Sequence, residues 1–446
     1  VTTIISDLYA SGISGANISG IIENSVAASS EVSDMFTKNS GRITTNKSNG
    51  ICKNNYVFEG MLSGDIVYLG PDTLDGDEVS WEELLNEKFY KEKLEWNFKD
   101  IWNFQKSTDF LMPTIKNQDI PIIKPGLTIY HPMAIYDFDG LDSIRKNLSY
   151  HYILKNDIII PNNLNWEPIG VADNFDDYVT KAFCGSFNGN GHSIKNLKIT
   201  DNPESSQFAL FGVLYGGIIR NLNVVGADIY GHSNCAIISA VNYGVIENCR
   251  VEGKITTTNK SQENLFGGIC AKNYTNIFNS TSNILMNVDS KSATVGGVAG
   301  YNEGNIFNSN TFGKIISDTL KLSSSNAVIG KICGVNFSGM IYNCYSDCSI
   351  LSSSDMSYLG GIAGMQTGGE IYMCASRGSV SLYKKADDKA VSYIGGIAGL
   401  ISGGLIMNSY SHDNLSTDAY KSYCGGITGM SENSNLQNSY YYGIIN

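Results

Sequence analysis

The stretch Gly296-Gly297-Val298-Ala299-Gly300, followed by Gly304-Asn305-Ile306-Phe307-Asn308 and then by Gly313-Lys314-Ile315-Ile316, is one copy of the repeat that decides the fold. Each of its three phrases places a β-branched residue between small or polar neighbours, which is typical of a short β-strand. Glycines separate the phrases, as tight corners require. One copy of the repeat therefore predicts three short strands joined by turns.

The first phrase recurs throughout the carboxy-terminal part of the chain. Its first glycines lie 29, 34, 30, 35 and 30 residues apart, at Gly267, Gly296, Gly330, Gly360, Gly395 and Gly425. Three strands in a repeat of about 30 residues predict one coil of a β-solenoid, in which every strand pairs with its copy in the next coil. Because parallel crossovers are nearly always right-handed, the predicted fold class is all-β, a right-handed parallel β-helix with short helical capping and linker segments.

Two positions in the second phrase predict ladders that run from coil to coil. The central isoleucines, Ile306, Ile341 and Ile406, are expected to stack in the interior. Asparagine recurs two residues later, where its amide could satisfy backbone groups at a corner. These asparagines are Asn221, Asn248, Asn279, Asn308, Asn343, Asn408 and Asn438. Ligand binding is the alternative role, but recurrence in almost every coil favours a structural ladder.

The ten cysteines also follow the repeat. Cys249, Cys344 and Cys374 occupy a position that is serine in other coils. A position that alternates between cysteine and serine requires a small side chain and not a covalent bond. We therefore expect buried, reduced thiols. No Cys-x-x-Cys pair indicates a zinc or redox site.

The phrases Phe208-Ala209-Leu210-Phe211-Gly212 and Gly217-Ile218-Ile219-Arg220-Asn221-Leu222 resemble the GLUG repeat family. Residues 166–170 and 183–197 resemble the opening coil of such modules, and residues 141–148 and 152–158 resemble their entry segment. GLUG modules occur in large bacterial surface proteins, including adhesin-like proteins and some immunoglobulin-A-cleaving metallopeptidases. The resemblance implies a parallel β-helix in a secreted or cell-surface protein.

Four segments are expected along the chain. They are terminal coils of one module over 1–62, a closing segment and linker over 63–131, an opening segment of a second module over 132–200, and its coils over 201–446. The capping-box spacing of Ser80-Trp81-Glu82-Glu83 predicts a helix over 80–93, which we expect to plug the open end of the first module. A second short helix is expected over Leu141–Leu148.

The charge and composition exclude several classes of partner. A net charge of −12 and a pI near 4.9 disfavour nucleic acid. No run approaches the roughly 18 apolar residues of a membrane span. The remaining prediction is a secreted or cell-surface structural or adhesive solenoid without enzymatic activity. The alternative is a carbohydrate-binding or carbohydrate-active domain, since parallel β-helices also host enzymes that act on polysaccharides.

Few residues carry chemistry that an enzyme or a metal site would need. The histidines show no His-Glu-x-x-His spacing, and no cofactor is expected. Asp173, Asp176 and Asp177 are candidates for binding a metal or a sugar. Calcium is considered as a ligand of a second acidic cluster, Asp72, Asp75, Asp77 and Glu78. Their spacing misses the EF-hand pattern, and a solvated turn is the alternative. The tyrosines Tyr410, Tyr440, Tyr441 and Tyr442 are expected either to contact a glycan or protein or to stack between coils.

The two ends of the chain match in register. Reading from Gly426 to Asn446 and on from Val1 to Gly12 gives a unit of 32 residues, within the range of the internal repeats. This match predicts either a homopolymer, in which copies stack head to tail into a filament, or a covalent junction between tandem modules. The other expected partner is a host or surface glycan or protein.

Overall fold

Stacked coils of short strands build the chain. The structure, a computed structural model, describes residues 4–6, 10–29, 31–34, 40–45, 48–63, 69–104, 113–116, 125–129, 131–200, 202, 204–257, 264–319, 325–383 and 390–446. The chain divides into a first unit, residues 1–133 with 150–152, and a second unit, residues 134–149 with 153–446. Strands Met133–Ile135 and His151–Leu154 lie at the boundary between the units.

Three sheets, here named A, B and C, form the second unit, and each coil contributes to all three. Sheet A contains Ser186–Asn188, Phe211–Arg220, Ser239–Glu247, Cys270–Asn273, Asn276–Phe278, Ala299–Asn302, Asn305–Phe307, Cys333–Phe337, Met340–Tyr342, Ala363–Thr367, Glu370–Tyr372, Ala398–Ser402, Leu405–Met407, Thr428–Glu432 and Asn435–Gln437. Sheet B contains Ile158–Ile159, Ser193–Lys195, Lys198–Ile199, Asn223–Gly231, Arg250–Thr257, Thr281–Val288, Asn310–Ser317, Tyr345–Ser352, Ala375–Leu382, Tyr410–Thr417 and Tyr440–Tyr441. Sheet C contains Gln207–Phe208, Asn234–Cys235, Leu265–Gly267, Ser292–Gly296, Asn326–Gly330, Met356–Gly360, Ser392–Gly395 and Ser422–Gly425. The predicted all-β parallel solenoid is confirmed.

Strand pairing places each residue beside its repeat equivalent in the next coil. Ile306 pairs in parallel with Ile341, Ile341 with Ile371, and Ile371 with Ile406. All four side chains are fully buried. The structure therefore places the three isoleucines expected in the interior on one ladder, which Ile371 completes.

The first glycine of each phrase lies at a corner where no side chain fits. A Cβ atom at Gly296 would lie 1.8 Å from the carbonyl oxygen of Ala299, and one at Gly360 would lie 1.8 Å from that of Ala363. These distances are far below van der Waals contact. The close approach of backbone to backbone at this corner explains why glycine recurs there.

The first unit contains coils of the same kind. Its parallel strands are Ile4–Ser6, Ala10–Ser11, Ile21–Glu23, Val26–Ala27, Glu31–Asp34, Ser40–Gly41, Ile51–Lys53, Tyr56–Phe58, Leu62–Ser63 and Asp77–Val79, and an antiparallel pair joins Trp102–Asn103 to Thr114–Ile115. Ile22, Val32, Ile43 and Val57 belong to its interior cluster. The fold of this unit therefore also rests on stacked apolar positions.

The helix expected over 80–93 is two helices, α1 at Trp81–Leu84 and α2 at Glu87–Glu92. The predicted capping box is present, because Glu83 N donates to Ser80 Oγ at 3.2 Å and the Glu83 side chain accepts from Ser80 N. Asn86 breaks the run, since its extended backbone and its side-chain oxygen, which accepts from Lys88 N, cap a second helix.

Helices α1 and α2 cover an outer sheet face. Leu84, Phe89 and Tyr90 pack with Tyr56 and Phe58, whereas Val57 between those two aromatics points into the interior cluster. Side chains alternate between the two faces of a strand. The helices therefore lie on the solvent side of this sheet and not over the end of the interior, where we had expected them.

Two further helices differ from the sequence-based prediction. The helix expected over Leu141–Leu148 begins earlier, as α3 at Phe138–Asp142, and continues as a 3₁₀ helix at Ser143–Lys146. Asp137 causes the earlier start, because its carboxylate accepts from Gly140 N at 2.9 Å. Helix α4, at Phe175–Lys181, was not predicted.

We predict that Ile341→Asp lowers the free energy of unfolding by several kcal/mol, because it buries a carboxylate without a partner on the isoleucine ladder. Thermal unfolding followed by circular dichroism measures the loss. The matched control is Lys314→Asp at an exposed strand position, which should change stability by about 0.5 kcal/mol or less. Equal melting curves for Ile341→Asp and the parent would contradict the ladder.

Candidate ligand-binding surface

The recurrent asparagines form an outer corner of the second unit. All seven adopt a left-handed backbone, with φ between 47° and 52°, a conformation that asparagine tolerates better than most residues. Their amides also join one another: Asn248 Nδ2 donates to Asn221 Oδ1 at 2.7 Å, and Asn343 Nδ2 donates to Asn308 Oδ1 at 2.8 Å. Met373 takes the same backbone conformation where the asparagine is missing.

The first coils of this corner border a shallow polar groove of about 510 Å³. Asn221, Asn248 and Asn279 line it together with Arg250 and Thr281. Asn221 and Asn248 are already joined by a hydrogen bond between their amides. The lining of the groove is nonetheless polar enough to fit the alternative, ligand-binding role of the asparagines.

A second amide ladder, buried in the interior, was missed by the sequence analysis. Asn242, Asn273, Asn302, Asn336 and Gln366 are fully buried. Each donates from its amide nitrogen to the side-chain oxygen of the next, at 2.6–2.7 Å, up to Gln366, which donates to Gly368 O. The sequence nevertheless contains a pattern that marks this ladder. In each first phrase an alanine, cysteine or serine follows the central isoleucine or valine, and the amide residue lies three positions after it.

Aromatic side chains form a continuous outer track along sheet A, here named the tyrosine track. It contains Tyr178 of α4 and then Tyr215, Tyr243, Tyr274, Tyr301 and Phe337. Successive ring centroids lie 5.8, 6.2, 4.4, 6.2 and 6.3 Å apart. The Tyr243 and Tyr274 rings are parallel within 1°. Tyr215, Tyr243 and Tyr274 hold one repeat position, whereas Tyr301 lies two residues before it, in register with Lys272. The track therefore combines a repeated position with a neighbouring one on the same face.

A groove of about 360 Å³ opens beside the tyrosine track. Lys272 and Tyr301 of sheet A line it together with Tyr274, which lies in the bend after Lys272. Leu265 and Thr294 line it from sheet C. Burial raises the pKa of Tyr301, and the Glu303 carboxylate, which accepts from the Tyr301 hydroxyl at 2.6 Å, raises it further. The phenol therefore stays neutral at physiological pH. Two aromatic faces, a cation and hydroxyl groups meet in one concave site.

The three aspartates singled out in the first coil of this unit lie on or next to α4. Asp173 and Asp176 are exposed, and Asp177 pairs with Lys181 at 3.0 Å. Asn174 caps the helix, and acidic residues in its first turn favour helix formation there. The helix thus gives these acids a structural role, and binding of a metal or sugar by them stays a prediction.

The acids proposed for calcium in the first unit contact protein groups. Asp72 accepts from Asn54 N at 2.8 Å, and Asp75 accepts from Arg42 N at 3.0 Å. Glu78 pairs with the buried Arg42 at 2.9 Å. In the part of the chain that the structure describes, no group of three or more His, Cys, Asp or Glu side chains is placed to hold a metal ion. The described residues also include no helix long and apolar enough to cross a membrane.

The repeat-position thiols are buried and donate to backbone carbonyls. Cys344 Sγ lies 3.4 Å from Ile306 O, and Cys374 Sγ lies 3.5 Å from Ile341 O. Burial raises the pKa of Cys249 to about 12, so its reactive thiolate is scarce at neutral pH. No disulfide joins any of the ten cysteines, all of which lie in the described part of the chain.

The tyrosines singled out near the carboxy end have different environments. Tyr410 and Tyr440 stack with centroids 5.1 Å apart, and Tyr442 is exposed. Tyr441 donates its hydroxyl to Asp413 O at 3.0 Å. Among these four tyrosines, one pair therefore stacks between coils, and Tyr442 is accessible to a ligand.

We predict that Asn302→Ala costs about 1–3 kcal/mol of stability, because it leaves the Asn273 and Asn336 amides with unmatched bonds in the interior. Differential scanning calorimetry measures the change. Asn308→Gly is the matched control, since it removes an exposed ladder amide while tolerating the left-handed backbone. Equal losses of stability in both variants would show that the buried amide ladder contributes no more to stability than the exposed one.

No family model matches this sequence, so the likeness to GLUG repeats rests on the quoted phrases. Over 140 residues the chain is 28% identical to halomucin of Haloquadratum walsbyi, a match covering 29% of this chain and 2% of halomucin. A crystal structure of a Bacteroides ovatus protein, provisionally described as an immunoglobulin A1 protease, is 20% identical with a TM-score of 0.35 and covers 72% of this chain and 80% of that one. Neither similarity names a ligand for this chain.

Proposed function

We propose that this chain is part of a secreted or cell-surface β-solenoid that serves as a rigid spacer and binds carbohydrate along its tyrosine track. The observation that carries the proposal is the track itself, which runs through successive coils and borders the groove of Tyr274, Tyr301 and Lys272. A linear row of rings matches a linear polymer better than it matches a small metabolite.

The chemistry of the groove fits a sugar. Tyrosine offers an apolar ring face for the C–H groups of a pyranose and a hydroxyl for its polar edge. The volume of about 360 Å³ lies within the range of roughly 300–1,000 Å³ found for ligand sites. Lys272 adds one positive charge, which favours an acidic sugar over a basic one.

Rigidity is the second part of the proposal. Neighbouring coils share backbone pairing on three sheets, the buried amide ladder and the stacked rings. A solenoid whose coils contact mainly their neighbours can extend without changing its cross-section. The similarity to part of halomucin supports a surface location for such a spacer.

We predict that Tyr274→Ala and Tyr301→Ala each weaken binding to an acidic polysaccharide by about tenfold, because truncating an aromatic anchor removes its stacking contact. Binding is measured by affinity electrophoresis against a panel of neutral and acidic polysaccharides. The same incubations, assayed for new reducing ends, test the enzymatic alternative, and polysaccharide cleavage would contradict a purely adhesive role.

The matched control is Tyr393→Ala, which removes a stacked tyrosine from sheet C, away from the groove. This variant should bind as the parent does. Equal loss in all three variants, or no binding by the parent to any member of the panel, would contradict the tyrosine track as a binding surface.

We also propose that another coil, from a second copy or from the same polypeptide, stacks on the coil that contains Leu436. Leu436 continues the isoleucine ladder, since it pairs with Ile406. Leu436 is 42% exposed, whereas Ile406 is 0% exposed. An added coil would bury this side chain and pair the exposed strand edge.

We predict that the isolated chain self-associates and that Leu436→Asp reduces this association, because the carboxylate would be buried without a partner at the junction. Sedimentation velocity over a concentration series measures it. Tyr442→Asp, at an exposed position off the ladder, is the control. A parent chain that stays monomeric at high concentration would contradict homotypic stacking.

A further inference from the structure

Two residues of the second unit break the repeat, and they contact each other. The second glycine of the first phrase, conserved in the neighbouring coils as Gly297, Gly361 and Gly396, is Lys331 in one coil. On sheet B, a position that is Cys348 and then Gly378 becomes the buried Asp413. Lys331 Nζ donates to Asp413 Oδ1, and both side chains are 0% exposed.

Lys331 reaches along the interior to the coil after the next one. Its ammonium also donates to Arg377 O at 3.0 Å in the intervening coil. A Cβ atom at Gly378 would lie 3.5 Å from Lys331 Nζ. The glycine therefore leaves a passage through which the lysine reaches Asp413.

A pair of hydroxyl groups holds the other oxygen of the Asp413 carboxylate. Ser376 Oγ donates to Asp413 Oδ2 at 2.5 Å, and Ser411 Oγ donates to it at 3.1 Å. In earlier coils the equivalent hydroxyls of Ser282, Thr311 and Ser346 have no hydrogen-bond partner among the described residues. Asp413 thus gives Ser376 and Ser411 an acceptor that their equivalents lack.

Burial favours the neutral form of the Lys331 amine. Desolvation lowers the pKa of the Lys331 amine, although the Asp413 carboxylate opposes that shift. In an interior from which water is excluded, a neutral amine beside a carboxylic acid avoids the cost of two buried charges. An uncharged amine is a nucleophile, and a protonated carboxyl group is its electrophile.

We propose that Lys331 and Asp413 condense into an intramolecular amide cross-link. Proton transfer from the ammonium to the carboxylate gives the neutral pair. The Lys331 Nζ lone pair then forms a bond to Asp413 Cγ, while the hydroxyls of Ser376 and Ser411 stabilise the negative charge that develops on Oδ2. The Cγ–Oδ1 bond breaks, and Oδ1 leaves as water with the carboxyl proton and one proton of the amine. Carbon oxidation states do not change, so no oxidant is needed.

The cross-link would join coils that are separated by one intervening coil. When a solenoid is pulled, the backbone hydrogen bonds between coils break one strand at a time, whereas an amide bond does not dissociate. The segment from Lys331 to Asp413 would then remain closed after the backbone pairing around it is lost. Such a bond suits a spacer that carries load, although the chemistry is independent of any ligand on the tyrosine track.

The test is the intact mass of the unfolded full-length chain by electrospray mass spectrometry. The expected mass is lower than that of the sequence by one water molecule. Trypsin should no longer cleave after Lys331, and fragmentation should identify a branched peptide joining Lys331 to Asp413. A full sequence mass together with normal cleavage after Lys331 overturns the proposal.

Two variants locate the reaction. Lys331→Arg keeps a cation but lacks the amine nucleophile, so it should show the full mass. Loss of water that persists in Lys331→Arg would come from another site, such as a cyclic imide at Asp75-Gly76, and would overturn the assignment. Replacing both Ser376 and Ser411 by alanine should slow cross-linking after refolding, and an unchanged rate would overturn their role. The intact mass of the parent chain tests the proposal even if a variant fails to fold.

Discussion

Parallel backbone pairing between successive coils is the constraint on which the rest of this structure depends. It fixes the register, so that each residue lies beside its own repeat equivalent, about 4.8 Å away. Identical side chains in successive coils must therefore contact each other favourably, both in the interior and on the surface. Isoleucine does so by apolar contact, as at Ile306 and Ile341. Asparagine does so because one amide is both donor and acceptor, which allows the buried row from Asn242 to Asn336 without any unmatched partner.

The same constraint makes a break in the repeat costly unless a neighbouring coil compensates. Gln366 continues the amide row by using its longer side chain, and the next position in register is the apolar Ile401. Met373 keeps the left-handed turn of the asparagines it replaces. Lys331 and Asp413 are the extreme case, because neither would be stable alone in the interior. This break in the repeat therefore places two ionisable groups together in the interior.

On the outer faces the register has a different consequence. A single tyrosine on one coil is an ordinary surface residue, but tyrosines on successive coils form a track with centroids only 4.4–6.3 Å apart. Aromatic side chains on successive coils thus form an extended surface, although each ring alone would make only a weak contact. The groove beside Tyr274 and Tyr301 adds a cation and hydroxyl groups to that surface. The proposed carbohydrate binding follows from this combination, and neither the rings nor the groove would support it alone.

The sequence by itself determined the strands, the coil length and the interior isoleucines, because those depend on a short pattern that repeats at a nearly constant spacing. It also located the capping box at Ser80, which is a local interaction. It did not reveal the break at Asn86, the helix at Phe175–Lys181 or the outward packing of Phe89, which depend on competing caps and on which sheet face is left to cover. The tyrosine track and the contact of Lys331 with Asp413 were decided by the tertiary structure. Loops of variable length separate these residues along the chain, and only the pairing of coils sets which of them become neighbours.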